Sequence, residues 1–234
     1  MRHDAKRVLK ELRSKADPVA VKGMKRFAIG GGKIYGISIP ELRTIAKSVG
    51  RDHQLARELW RSGVHEARIL ASVVDDPKLL TAAQMESWVR DFDSWDLCDQ
   101  CCGNLFDKTE LAFEKAKEWS ARKAEFEKRA GFSLMAALAV HDKASPDAKF
   151  EEFLAWIEKI GAKDDRNFVK KAVNWALQQI GKRNIRLNTK AIEVALRVLE
   201  KKESPAARWI ASDALRELRS EPVQKKLKQK ARLN

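Results

Sequence analysis

Four of the six prolines in this chain directly follow Asp or Ser, at Asp17-Pro18, Asp76-Pro77, Ser145-Pro146 and Ser204-Pro205. That is the order of a helix N-cap and a first helical residue, where the missing proline N–H costs nothing. The prolines therefore read as helix starts, spread along the whole chain. Glycines are sparse and fall mostly at breaks, including Gly30-Gly31-Gly32, Gly50, Gly63, Gly161 and Gly181. Between these stops apolar residues recur at helical spacing, and strand-type alternation is almost absent. The expectation is an all-α fold of about a dozen helices, each roughly 10–16 residues long.

Several segments carry similar apolar cores: Ala67-Arg68-Ile69-Leu70-Ala71, Arg129-Ala130-Gly131-Phe132, Lys171-Ala172-Val173-Asn174-Trp175 and Arg208-Trp209-Ile210-Ala211. The last three begin about 40 residues apart, the period of HEAT-type helical pairs. Stacked pairs would give an α-solenoid, one curved domain over 1–234 with a concave basic face. An irregular helical bundle is the alternative. Phe126 to Val140 is apolar all round after Arg129, as befits an inner helix with neighbours on every side. Arg129 must then snorkel to solvent or find a partner.

Hydrophobic residues make up 44% of the chain and charged residues 34%, the balance of a soluble globular protein. No apolar run reaches the roughly 18 residues a membrane span requires. No apolar segment follows the basic Met1-Arg2-His3-Asp4-Ala5-Lys6 start, so no secretory signal is visible and a cytoplasmic location is expected. The net charge is +14, and it is uneven: residues 1–50 carry +8, residues 51–165 carry −6 and residues 166–234 carry +12. Basic ends around an acidic middle suit a polyanion held at both ends, and an RNA or an acidic protein would meet the same charge. A lysine-rich surface with no such partner remains the plain alternative.

Cys98, Cys101 and Cys102 fall together without a second Cys pair or a histidine at ligand spacing, so they read as packing thiols and no metal is expected. Neither a phosphate-binding Gly-rich loop, a nucleophile elbow nor a zinc-binding helix is present, and no cofactor is expected. Chemistry, if any, must run on aromatic surfaces, carboxylates and basic side chains. On a helical wheel of Asn167 to Lys182, Val169, Ala172, Val173, Ala176, Leu177 and Ile180 form the core face. Lys171, Asn174, Gln178 and Lys182 lie opposite, and Trp175 falls among them. Such an aromatic needs a cover, either a neighbouring helix or a nucleic-acid sugar or base flanked by lysines. Trp95 and Asp99 are one turn apart in Ser94-Trp95-Asp96-Leu97-Cys98-Asp99, beside a face made by Leu97, Cys98, Cys101 and Leu105. An aromatic plate beside a carboxylate suits a reaction that develops positive charge; a packed Trp and a solvated Asp would look the same.

The chain resembles the DNA alkylation repair family of HEAT-like alkylpurine DNA glycosylases over nearly its whole length. The resemblance rests on Met24-Lys25-Arg26-Phe27, Tyr35 to Arg43, Ser94 to Asp99, Lys128-Arg129-Ala130 and Phe168 to Trp175, in that order. It implies a monofunctional glycosylase that acts on duplex DNA as a monomer, leaving the lesion stacked without base flipping and needing no obligatory protein partner. It implies Asp99 as the catalytic carboxylate, Trp95 and Trp175 as contacts to the damaged nucleotide, and Arg129 as the holder of the backbone. Arg43, within Pro40-Glu41-Leu42-Arg43, becomes a phosphate contact, and Lys170, Lys171, Lys182 and Arg183 are expected to join it. The implied substrates are duplexes containing alkylated purines. Two positions depart from the family pattern: Phe27 stands for a tyrosine, and Ile39 for a frequent threonine. A non-catalytic DNA-binding relative and a scaffold for acidic proteins are the rival readings.

Overall fold

The computed structural model describes residues 4–30, 32–201 and 203–233, so Gly31 and the Met1-Arg2-His3 start lie outside the described residues. Among the described residues there are fourteen α-helices, in two compact units, Met1–Thr109 and Glu110–Asn234. The first unit holds α1 (Ala5–Ser14), α2 (Pro18–Arg26), α3 (Ile39–Val49), α4 (His53–Arg61), α5 (His65–Val74), α6 (Ala82–Arg90) and α7 (Trp95–Asn104). The second holds α8 (Ala112–Ser120), α9 (Glu125–His141), α10 (Asp147–Lys159), α11 (Asn167–Gly181), α12 (Ile185–Lys201), α13 (Pro205–Leu218) and α14 (Glu221–Leu233). Extended pairing among these residues is limited to one isolated parallel bridge, Lys33 to Val64. No helix among them is long and apolar enough to cross a membrane.

Two of the four capping expectations hold as written. The Asp17 carboxylate accepts the N–H groups of Val19 and Ala20 above Pro18, and Ser204 Oγ accepts that of Ala207 above Pro205. The other two need correction. Pro77 opens a turn, and α6 starts at Ala82 under the Thr81 hydroxyl. The reason is local: Asp76 Oδ1 accepts from Lys78 N at 3.0 Å, closing an Asx turn instead of capping a helix. Pro146 is itself the N-cap of α10, because Asp142 Oδ1 takes the Ser145 N–H at 2.8 Å and holds that residue in the loop.

In the second unit α9, α11 and α13 pack side by side, and they begin at residues 125, 167 and 205, about 40 apart. α8 lies on α9, while α10, α12 and α14 follow one another in a second row. These are stacked HEAT-like helical pairs. α9 is buried continuously from Arg129 to Ala139, which confirms it as an inner helix. The close fit to α8 depends on Gly131: a Cβ there would stand 2.2 Å from Ser120 N and 2.7 Å from Ala116 O.

In the first unit α5 is central, with α3, α4, α7 and α1 against it. The segment from Lys33 to Ile37 crosses the start of α5, and one buried carboxylate holds it there. Glu66 Oε1 accepts from Tyr35 N at 3.0 Å and Gly36 N at 2.6 Å, and Oε2 accepts from Tyr35 N at 2.9 Å. Gly36 has φ +79°, a left-handed conformation that glycine adopts without penalty. It also passes close to α2, since a Cβ would fall 2.5 Å from Asp17 O.

Gly131→Ala is expected to lower the thermal midpoint by roughly 5–10 °C through overpacking against backbone that has no room to move. Gly23→Ala, inside α2 with open space at its Cβ, should raise it slightly. Scanning calorimetry of the two variants beside the parent decides; equal effects would contradict the α8–α9 contact.

Candidate functional site

The N-terminus of α7 carries the first candidate group. Leu97, Cys98, Cys101 and Leu105 are fully buried as the wheel required, and they turn Trp95 and Asp99 to a half-buried edge. Burial, reinforced by the neighbouring Cys98 thiol, pushes the Cys101 and Cys102 thiols well above the ordinary cysteine range, so both behave as packing groups. The Trp95 indole is fixed by a hydrogen bond, its Nε1–H donating to the Phe27 carbonyl at 2.9 Å. The fold thus brings together two residues that the sequence marked separately. Phe27 caps the end of α2 and keeps 68% of its surface exposed beside this contact.

The turn that presents Phe27 is strained. Ala28 N donates to Lys25 O and Ile29 N to Met24 O, a Schellman ending that places Ala28 at φ 56°. Glycine is the usual residue there, and alanine costs about 1 kcal/mol in that conformation. Beneath α7 lies a second feature that sequence reasoning missed. His65, the first residue of α5, is buried, and its Nε2 stands 2.9 Å from Asp96 Oδ2. Burial opposes the charged imidazole, but the Asp96 hydrogen bond and charge outweigh it, so the His65 pKa is raised. Burial likewise opposes the Asp96 carboxylate, yet the bond from His65 holds its pKa below the ordinary value. Both shifts favour the charged pair, and the contact ties α5 to the first turn of α7. The only sequence signal was charge within an otherwise apolar stretch, in Val64-His65-Glu66-Ala67.

In the second unit Arg129 is 5% exposed, and its Nη1 donates to the Phe168 carbonyl at 2.6 Å. The charge that had to leave α9 thus meets the first turn of α11. Trp175 is half-buried on α11, in keeping with its place off the core face. Asn174 departs from the wheel: it is 7% exposed, with Nδ2 donating to Asp213 Oδ2 at 2.7 Å. Gln178 reaches the same oxygen at 3.0 Å. Part of the supposed solvent face of α11 is therefore covered by α13. Trp209, which looked like core in the repeat comparison, is 40% exposed, with Lys170 Nζ 5.4 Å from its ring centroid.

The expected phosphate contacts divide into two groups. Arg43 on α3 and Lys171 on α11 are exposed. Lys182 pairs with Glu217 at 2.6 Å, and Arg183 Nη1 donates to the carbonyls of Ala139 and Asp142 at the end of α9. The Arg183 guanidinium also lies 3.7 Å from the Phe150 ring centroid. Intramolecular partners thus occupy Lys182 and Arg183, and they leave Arg43 and Lys171 as the more available cations.

Residues 8–218 match the model of a family described as DNA alkylation repair enzyme. The chain belongs to that family. A solved structure from a family of proteins related to the HEAT-like repeat DNA glycosylases, with affinity for branched DNA structures, has the same fold. It superposes with a TM-score of 0.75 at 21% identity, covering 92% of this chain and 96% of its own. No curated relative matches. Within this alkylation-repair chain, the family match spans every residue of the two candidate groups, from Phe27 to Trp175.

The His65–Asp96 pair gives the first unit a pH-dependent term. A histidine whose folded pKa is raised contributes stability that is complete below about pH 6.5 and lost as pH climbs through the folded value. His65→Gln should flatten the fall in stability of the parent above that point, measured as urea midpoints between pH 6 and 9. Identical pH profiles would show that the charge on His65 adds nothing to stability.

Proposed function

We propose that the chain is a DNA glycosylase that hydrolyses the N-glycosidic bond of cationic alkylated purines, of the 3-methyladenine and 7-methylguanine type, in duplex DNA. The carrying observation is a carboxylate, Asp99, one turn from the anchored indole of Trp95 in a chain of the alkylation repair family. A purine alkylated at N3 or N7 already bears positive charge and leaves without a general acid. The protein has to stabilise the sugar as it turns oxocarbenium-like and to guide water to C1′. Ionised Asp99 supplies the negative charge for both tasks.

Trp95 and Trp175 contact the lesion nucleotide in this reading, and their π-faces favour a cationic sugar. The Phe27 carbonyl holds the Trp95 ring in advance, so less ordering is required on binding. Arg129 holds the backbone, with Arg43 and Lys171 as phosphate contacts and Lys170, Lys182 and Arg183 as weaker ones. The lesion stays stacked, and the protein acts as a monomer inside the cell. The rival reading, a binder of DNA structure without catalysis, draws on the similar fold with affinity for branched DNA. A pure binder has no use for a carboxylate turned to DNA, and Asp99 therefore favours catalysis.

Asp99→Asn should slow base release from methylated duplex by about 100-fold or more while leaving duplex affinity unchanged. Release at the parent rate would remove Asp99 from the chemistry. A parent protein that binds four-way junctions tightly but frees no base would give the chain the non-catalytic role.

A further inference from the structure

The end of α9, the start of α10, the α11–α12 junction and one face of α14 surround an open cleft of about 730 Å³. Its charged lining is lopsided, with Lys143, Arg183, Arg186 and Lys230 facing the single carboxylate of Asp147. That carboxylate is already engaged, accepting from Asn184 Nδ2 at 2.9 Å and standing 3.6 Å from Arg186 Nη1. Arg186 pairs further with Glu151. Lys143 and Lys230, both exposed, are left to face Arg183 across the cleft.

Lys143 feels the charge of both other cations, opposed only in part by the neighbouring Asp142 carboxylate. Burial, and then the charges of Lys230 and Arg183, hold the Lys143 ammonium below its ordinary pKa. Lys230 is kept in place by its bond to the Lys182 carbonyl at 3.0 Å, and Arg183 by the carbonyls ending α9. The Nε–H of Arg183 is buried with no hydrogen-bond partner in the protein. Two of the three cations are thus anchored through backbone carbonyls, and such crowding of like charge is relieved when an anion enters. The helix α14 extends the positive charge, since Lys226 stands one turn before Lys230. Ile185, 48% exposed, adds apolar surface at the rim. Spaced cations with an apolar rim suit successive phosphates and sugars of a strand better than a lone anion.

We propose that this cleft is a backbone-phosphate site for DNA, with Lys143 and Lys230 as its contacts and Arg183 as the residue that positions the loop between α9 and α10. None of Trp95, Asp99, Arg129 and Trp175 lines it. The inference rests on the reading that the chain binds DNA, and it is independent of base removal.

The test is binding of undamaged duplex across a salt series by the parent, by K143Q/K230Q and by a control pair, K159Q/K190Q. Both cleft lysines are exposed, so glutamine keeps the stems and the fold, which circular dichroism verifies. The slope of log affinity against log salt should fall by about 2 for the cleft pair and hardly change for the control. An unchanged slope in the cleft pair, or an equal fall in the control, overturns the site. Methylated-base release under single turnover, with protein saturating, separates the two proposals. A lowered slope in a protein that frees no base sustains the cleft and refutes the glycosylase. Parent-like slope with normal release does the reverse.

Discussion

A helix buried around its whole circumference needs neighbours on all sides, and α9 imposes that condition on the C-terminal unit. Its run from Arg129 to Ala139 is met by α8 on one flank and α11 on another. Gly131 lets the α8 backbone approach to a distance at which any side chain would clash. The gain is a large apolar area removed from water, about 25 cal/mol for each Å². The cost is that Arg129, on the same helix, loses its water. A buried guanidinium without a partner would cost several kcal/mol, and the Phe168 carbonyl answers part of that demand. The link that makes the burial tolerable also joins α9 to α11, the helix that carries Trp175.

The N-terminal unit solves the opposite problem, holding an irregular segment against helix ends. Glu66 gathers the N–H groups of Tyr35 and Gly36, which have no helix or sheet of their own to satisfy them. The adjacent His65 grips Asp96, so one corner of α5 fixes both the segment and the start of α7. Trp95 then completes the arrangement by bonding to the end of α2. The indole, tied at its nitrogen, shares a helix with the carboxylate one turn later, and under the proposed glycosylase reading an aromatic held in advance has less to reorganise. The strained Ala28 turn belongs to the same corner. Departures from ideal local geometry gather where a side chain has to be aimed.

Charge is arranged by a different logic. Many basic residues of the second unit are matched within the fold, as Lys128 and Arg166 are by Asp164, or Arg197 and Lys201 by Glu158. Exposed pairs of this kind add little stability each. The cations that matter for a polyanion are the ones the fold leaves with surplus charge, and the bare net charge overstates their number. Lys143 and Lys230 stand out in this respect, whereas Lys182 is drawn towards Glu217.

The amino-acid sequence by itself determined the helical class, the forty-residue spacing of the inner helices and the edge on which Trp95 and Asp99 lie. These follow from local periodicity and capping chemistry, which neighbours in sequence decide. It failed where two options were equal locally and a distant partner chose between them. Asn174 looked solvent-facing until Asp213 of α13 covered it, and Trp209 looked like core but keeps 40% of its surface exposed, with Lys170 of α11 over its ring. Asp76-Pro77 had the form of a cap, but the aspartate closed a turn on Lys78. The partnership of Phe27 with Trp95, the grip of Glu66 on the amides of Tyr35 and Gly36, and the cluster around Lys143 join residues 30 to 87 positions apart in the chain. Only tertiary structure could decide those, because each depends on which backbone carbonyl or charge arrives opposite once the helices have packed.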